Sequence, residues 1–252
     1  LDTRAAGEEV DYDHSLNLHT IAGARKALSM LFPDGVPRLI LDVGCGTGTW
    51  LRSALDLGAT EVMGVDGVTV PNGRLHIDRS LVRQVNLEQP LDLKKRFDLV
   101  ISLEVAEHLA KQFAPRFVES LVRHGDKILF AAAAPNQDGM HHVNCQWPAY
   151  WQALFNNHGF ACVDAPRWTI WNESEIEPWY RQNLILARRD DAAGSEPRIN
   201  PVIHPDALEC FAHIHTERIR EQIEEGSQPF NWYARTTMRV ILSRLKAKVR
   251  SQ

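Results

Sequence analysis

The chain has 252 residues, 44% hydrophobic and 24% charged, with a formal net charge of −4. That balance suits an ordinary globular protein with one sizeable α/β domain and an accessory segment, and it gives no global electrostatic reason to bind nucleic acid. No apolar run approaches the roughly 18–20 residues of a membrane span, and the acidic, polar opening LDTRAAGEEVDYDH does not read as a signal peptide.

The four cysteines, Cys45, Cys145, Cys162 and Cys210, form no CxxC pair. They read as reduced thiols, which predicts a cytoplasmic protein without disulfides or a zinc site.

Leu16, Ile21, Ala24, Leu28 and Leu31 recur at helical spacing, and Pro33, Gly35 and Pro37 end that helix. Tyr12 precedes it, where an aromatic ring either covers a ligand or packs as a surface residue. Arg38–Val43 is the first predicted strand, and the chain then reads GCGTG, with glycines at Gly44, Gly46 and Gly48. Glycine lets backbone pass close beneath a ligand and adopt φ > 0 without steric cost. A helix follows to Leu57, so the unit is strand, glycine turn, helix, which builds a nucleotide-like site at the carboxyl edge of an open sheet. Cys45 is expected to pack its side chain as a small hydrophobe and turn its backbone to the ligand.

Glu61–Val65 is the second predicted strand, ending at Asp66 and Gly67, twenty residues after Gly46. An acid at that tip is where ribose hydroxyls are captured in such folds; an Asp-Gly turn is the plainer reading. Leu81–Val85 is a third strand, followed by Asn86 and Leu87, an amide and an apolar side chain that suit an adenine edge and face, or a simple cap. Leu99–Leu103 is a buried parallel strand, with Glu104 at its end and Glu107 and His108 beyond. Ala114–Val122 is helical, Lys127–Ala134 is a fifth strand, and the loop NQDGMHHVNCQW carries His141 and His142. Pro148 opens a helix to Asn156, and Phe160–Ala165 and Leu184–Ala187 complete the strands.

The alternation predicts an α/β fold: a doubly wound, Rossmann-like, mostly parallel seven-stranded sheet with helices on both faces. A domain over residues 1–190, a linker at 191–204 and a C-terminal helical extension at 205–252 are expected. The extension holds helices at about Pro205–Glu225 and Asn231–Val249, with Arg235, Arg239, Arg244, Lys246, Lys248 and Arg250 and no acid after Glu225. Its last helix also has an apolar stripe of Met238, Val240, Ile241 and Leu245, so it should dock on something: another subunit, an anionic partner or a membrane surface.

LDVGCGTG, the acid in VMGVDG and FDLVISLEVAEHL together resemble the class I S-adenosylmethionine-dependent methyltransferases, over about residues 12–190. HHVNCQWPAYWQALFNNHGF and IEPWYRQNLIL further resemble a bacterial subset associated with small-molecule and glycan pathways. The resemblance implies S-adenosylmethionine as cofactor. It implies that Gly44, Cys45, Gly46 and Gly48 pass beneath the methionine part, with Asp42 helping to hold the turn and the ammonium. By the same resemblance Asp66, with Gly67, holds the ribose, Asn86 and Leu87 meet the adenine, and Leu103 and Glu104 lie beside the transferred methyl. Asn86 departs from the acid usual there and brings no charge.

A sulfonium methyl needs an acceptor aligned with the C–S bond, and a hydroxyl acceptor gains from a base of near-neutral pKa. His108, His142 and, after them, His141 are the candidate bases. Glu107 and these histidines could also converge on a divalent cation, but their spacing does not demand one and no metal is assigned. The expected activity is methyl transfer to a small-molecule or saccharide-like acceptor at oxygen. N-methylation of an amine and a non-catalytic cofactor-binding module are the alternatives. Trp147, Tyr150, Trp151 and Phe155 form a helical core stripe whose first two members can line a substrate cleft.

Overall fold

The computed structural model describes residues 20–137 and 139–250. Tyr12 and Leu16 lie outside the described residues.

The elements run α1 (Ile21–Leu31), β1 (Leu39–Val43), α2 (Thr49–Asp56), β2 (Glu61–Asp66), β3 (Val82–Gln84), β4 (Leu99–Leu103), α3 (Ala114–His124), β5 (Lys127–Ala131), α4 (Pro148–Asn156), β6 (Phe160–Val163), α5 (Ala165–Ile170), α6 (Pro178–Asn183), β7 (Ile185–Arg189), α7 (Pro205–Glu224) and α8 (Phe230–Arg250). The seven strands form one sheet in the order β3-β2-β1-β4-β5-β7-β6. Pairings from β3 to β5 are parallel, while β7 runs antiparallel to both β5 and β6. The strand order reverses at β1, which pairs with β2 on one side and β4 on the other. In open α/β sheets the ligand crevice lies at such a switch point, outside the carboxyl ends of the strands.

β1, β4 and β5 are almost wholly buried because helices cover both faces. One core gathers Leu41, Val100, Phe130, Phe117, Leu121, Trp151 and Phe155 under α3 and α4. The other gathers Ile40, Leu51, Leu99, Ile101, Leu28 and Tyr180 under α1, α2 and α6.

All seven predicted strands appear; the first, third, fifth and sixth are shorter than expected, while the second and the last run on to Asp66 and Arg189. The fifth stops at Ala131 although Ala132, Ala133 and Ala134 stay buried; the alanine run holds no turn signal, so the pattern alone overran it. The third keeps only Val82–Gln84. Ala165–Ile170 and Pro178–Asn183 are two short helices with a prolyl residue in each first turn, Pro166 and Pro178, where the missing N–H costs nothing.

The stretch read as a linker packs on the sheet edge. Ile199 is in the core, and Glu196 Oε1 accepts from Asn156 Nδ2 at 2.6 Å, Gln152 Nε2 at 3.0 Å and the Cys162 N–H of edge strand β6 at 3.1 Å. Burial alone would raise this carboxyl, but those donors prevail and take it down to about 2. A depressed folded-state value gives stability that is present above the unfolded value of about 4.3 and lost as pH falls through it toward the folded one. Glu196→Gln should therefore lower the melting temperature at pH 7, with the gap to wild type closing near pH 2. An equal melting temperature at neutral pH would show that these bonds to Glu196 add no stability.

Two compact units divide between Leu208 and Glu209. In the second, Tyr233 Oη donates to the Ile223 carbonyl at 2.6 Å and accepts from the Gln228 N–H at 3.2 Å, fixing the turn between the two C-terminal helices.

Candidate functional site

The glycine turn is tied to β2 by its own backbone. The N–H groups of Gly44 and Cys45 both donate to the Val65 carbonyl, at 2.7 and 3.1 Å. Gly44, Gly46 and Gly48 have φ of 85°, 50° and 78°, a region that L side chains rarely adopt. Gly48 is the N-cap of α2, in left-handed backbone and with no side-chain cap. Cys45 is buried, and a Cβ on Gly64 would stand 2.6 Å from its Sγ. Its side chain thus packs under the turn as a small hydrophobe.

Asp66 is 7% exposed and does more than the sequence suggested. Its Oδ2 accepts from the Gly46 N–H at 2.7 Å and its Oδ1 from the Val68 N–H at 2.9 Å. A carboxylate oxygen accepts more than one hydrogen bond. Asp42 is buried beside it, and burial and then the charge of Asp66 push its carboxyl well above the usual range. A cationic ligand with vicinal hydroxyls would find acceptors in these two carboxyl groups, which is the chemistry of S-adenosylmethionine. A Cβ on Gly67 would meet the Val85 carbonyl oxygen in ordinary contact at 3.9 Å. Asn86 is exposed, and its Oδ1 accepts from the Glu88 N–H at 2.9 Å in a local turn. Leu87 and Leu103 are buried in the two cores.

The turn meets the end of β4 directly. A Cβ on Gly44 would stand 2.3 Å from Cγ2 of Val105, the residue after Glu104. Glu104 has φ of 56°, left-handed backbone for a side chain that ordinarily avoids it. Its N–H donates to the Ala131 carbonyl. Its carboxylate accepts from Gln137 Nε2 at 2.6 Å and Asn183 Nδ2 at 3.0 Å, and Asn183 Nδ2 also reaches Gln137 Oε1 at 2.8 Å. Burial raises the Glu104 carboxyl against these lowering bonds. Glu107 is fully buried nearby, and burial and then the Glu104 charge raise it well above the usual range.

His108 and His142 meet edge to face with ring centroids 5.0 Å apart. Burial, then the charge of His142, lowers His108 to about 3, so its imidazole is neutral at physiological pH. His142 Nδ1 lies 3.0 Å from the Gln137 carbonyl oxygen. A carbonyl only accepts, so Nδ1 carries a proton. Among the described residues, Glu107, His108 and His142 each offer a ligand atom within 4.8 Å of one another, a set able to hold a metal ion. His141 is outside that set; it has φ of 55° in the same loop.

Gln137 and Asn183 were not expected in the site. Asn183 arrives because β7 is antiparallel: Ile185 pairs with Phe130, so the start of β7 lies at the carboxyl end of β5. No local pattern in RQNLIL announces that. Trp147 and Tyr150 line an open cleft of about 480 Å³, with Gln146, Glu196 and Arg198.

The profile of the methyltransferase domain family matches residues 16–163. A ubiquinone biosynthesis O-methyltransferase of Rhodopseudomonas palustris is 37% identical over 91 residues, 34% of each chain. One from Cereibacter sphaeroides is 30% identical over 121 residues, 44% of this chain and 49% of the relative. The chain thus spans about a third to a half of the length of these curated relatives. The solved sugar N-methyltransferase KedS8 from a Streptoalloteichus species has the same fold, with a TM-score of 0.54 at 16% identity over 75% of this chain and 97% of that one. With the matched span covering the glycine turn, Asp66 and the Glu104–His142 edge, the chain belongs to the methyltransferase domain family, the class I S-adenosylmethionine-dependent methyltransferases.

Proposed function

We propose that this protein transfers the methyl group of S-adenosylmethionine to a small-molecule acceptor at oxygen. The observation that supports this reading is the contact of Gly44 with Val105, which sets the cofactor turn against the edge bearing Glu104, Glu107, His108 and His142. When bound, the cofactor supplies an activated methyl; the residues must align the acceptor and manage its proton. Gly44, Cys45, Gly46, Gly48, Asp42 and Glu104 hold the methionine part, Asp66 and Gly67 the ribose, and Asn86 and Leu87 the adenine.

His142 is the better base of the three histidines. The Gln137 carbonyl holds its Nδ1–H, which directs the basic Nε2 away from that carbonyl. A His108 at about 3 is a weak proton acceptor. The second reading has Glu107, His108 and His142 hold a divalent cation, favoured by their convergence and by the backbone carbonyl that orients His142. Such a cation would act as a Lewis acid toward acceptor oxygens.

The test is turnover of methyl-labelled cofactor against panels of hydroxyl and amine acceptors, with and without EDTA. Labelled ether products support the reading, and products only at nitrogen overturn the assignment to oxygen. His142→Ala should lower kcat by roughly 10²–10⁴-fold. If EDTA abolishes turnover and added cation restores it, the metal reading replaces that of a free base. EDTA-insensitive turnover removes the metal.

A further inference from the structure

The C-terminal helix α8 has no counterpart in the chemistry above. At about 100° per residue, Phe230, Ala234, Met238, Ile241 and Leu242 fall within roughly 120° of one face. Phe230 is 86% exposed, Met238 58%, Ile241 48% and Leu242 50%. Arg235 and Arg239 are exposed beside that face, and Arg244, Lys246, Lys248 and Arg250 follow in the sequence. An overall charge of −4, with +6 after Glu225, leaves −10 on residues 1–225.

We propose that α8 is an interfacial helix that lays its apolar face into an anionic lipid surface. Three observations select this occupant. The helix has six cations and no acid, the charge complement of an anionic headgroup layer. Among the described residues no helix is long and apolar enough to cross a membrane, so this one would lie on the surface. Pairing α8 with the α8 of a second copy would set cation against cation, with no acid on either helix to compensate. The acidic remainder of the chain would be repelled by the same anionic surface, which confines contact to this segment.

The experiment is co-sedimentation of the full chain with phosphatidylglycerol–phosphatidylcholine vesicles and with phosphatidylcholine alone. Light scattering of the free protein and cofactor-analogue binding run in parallel. We expect binding to the anionic vesicles only, weakened by salt. Arg235→Glu/Arg239→Glu and, separately, Ile241→Glu/Leu242→Glu should each reduce it more than about tenfold, with S-adenosylhomocysteine binding unchanged. Absence of vesicle binding by the wild type would overturn the proposal. So would equal binding to both vesicle types, or a dimer that the Ile241→Glu/Leu242→Glu variant converts to monomer without any vesicle binding.

Discussion

Asp66→Ala should weaken S-adenosylhomocysteine binding by two to four orders of magnitude, read by calorimetry. The carboxylate has two tasks. It would accept the two ribose hydroxyls, each charge-assisted bond contributing about 1.5–3 kcal/mol, and each 1.4 kcal/mol is about tenfold in affinity. It also accepts the N–H groups of Gly46 and Val68, so it shapes the turn that passes under the ligand. Asp66→Asn is expected to fall short of rescue, because one oxygen becomes an NH₂ group facing a backbone donor. Unchanged affinity in Asp66→Ala would remove the ribose assignment.

Glu104→Gly should lower kcat/KM by roughly 10²–10³-fold while leaving the melting temperature unchanged or higher. Left-handed backbone costs a non-glycine residue about 1–2 kcal/mol, and Glu104 has φ of 56°. Its carboxyl is also raised by burial, so the folded state holds that charge at a cost. Strain and buried charge persist together where a site needs the group. Gln137 and Asn183 hold the carboxylate in place through 2.6 and 3.0 Å bonds. Glu104→Gln should also be impaired, because the new NH₂ group would face one of those two amide donors. If Glu104→Gly instead lost stability and kept its activity, the residue would be a structural element.

Much of the fold was legible because the signals were local. Leu99–Leu103 and Pro148–Asn156 occur with the bounds their patterns imply, one as a continuous apolar run, the other as a helix opened by proline. The positions proposed for the cofactor were legible for the same reason: the glycine turn, Asp66 and Glu104 each sit at the end of a readable strand. The acceptor half depends on contacts distant in sequence. Asn183 reaches Glu104 across 79 positions through the antiparallel return of β7. His142 meets His108 only through the path of the loop after β5. Asn86 was open to two readings, and its side chain makes the local turn while its contact with adenine remains a proposal. Two short helices at 165–183 were missed because tryptophans and prolines there hide the 3.6-residue period.

The proposed function requires that the turn at 44–48 present the methyl donor to the edge formed by Glu104, Glu107, His108 and His142. A crystal structure of the complex with S-adenosylhomocysteine tests it most directly. The ribose is expected on Asp66, the methionine part over Gly44, and the sulfur facing the His142 side of the Glu104 edge. A ligand bound elsewhere, or with its sulfur turned away from that edge, would contradict it.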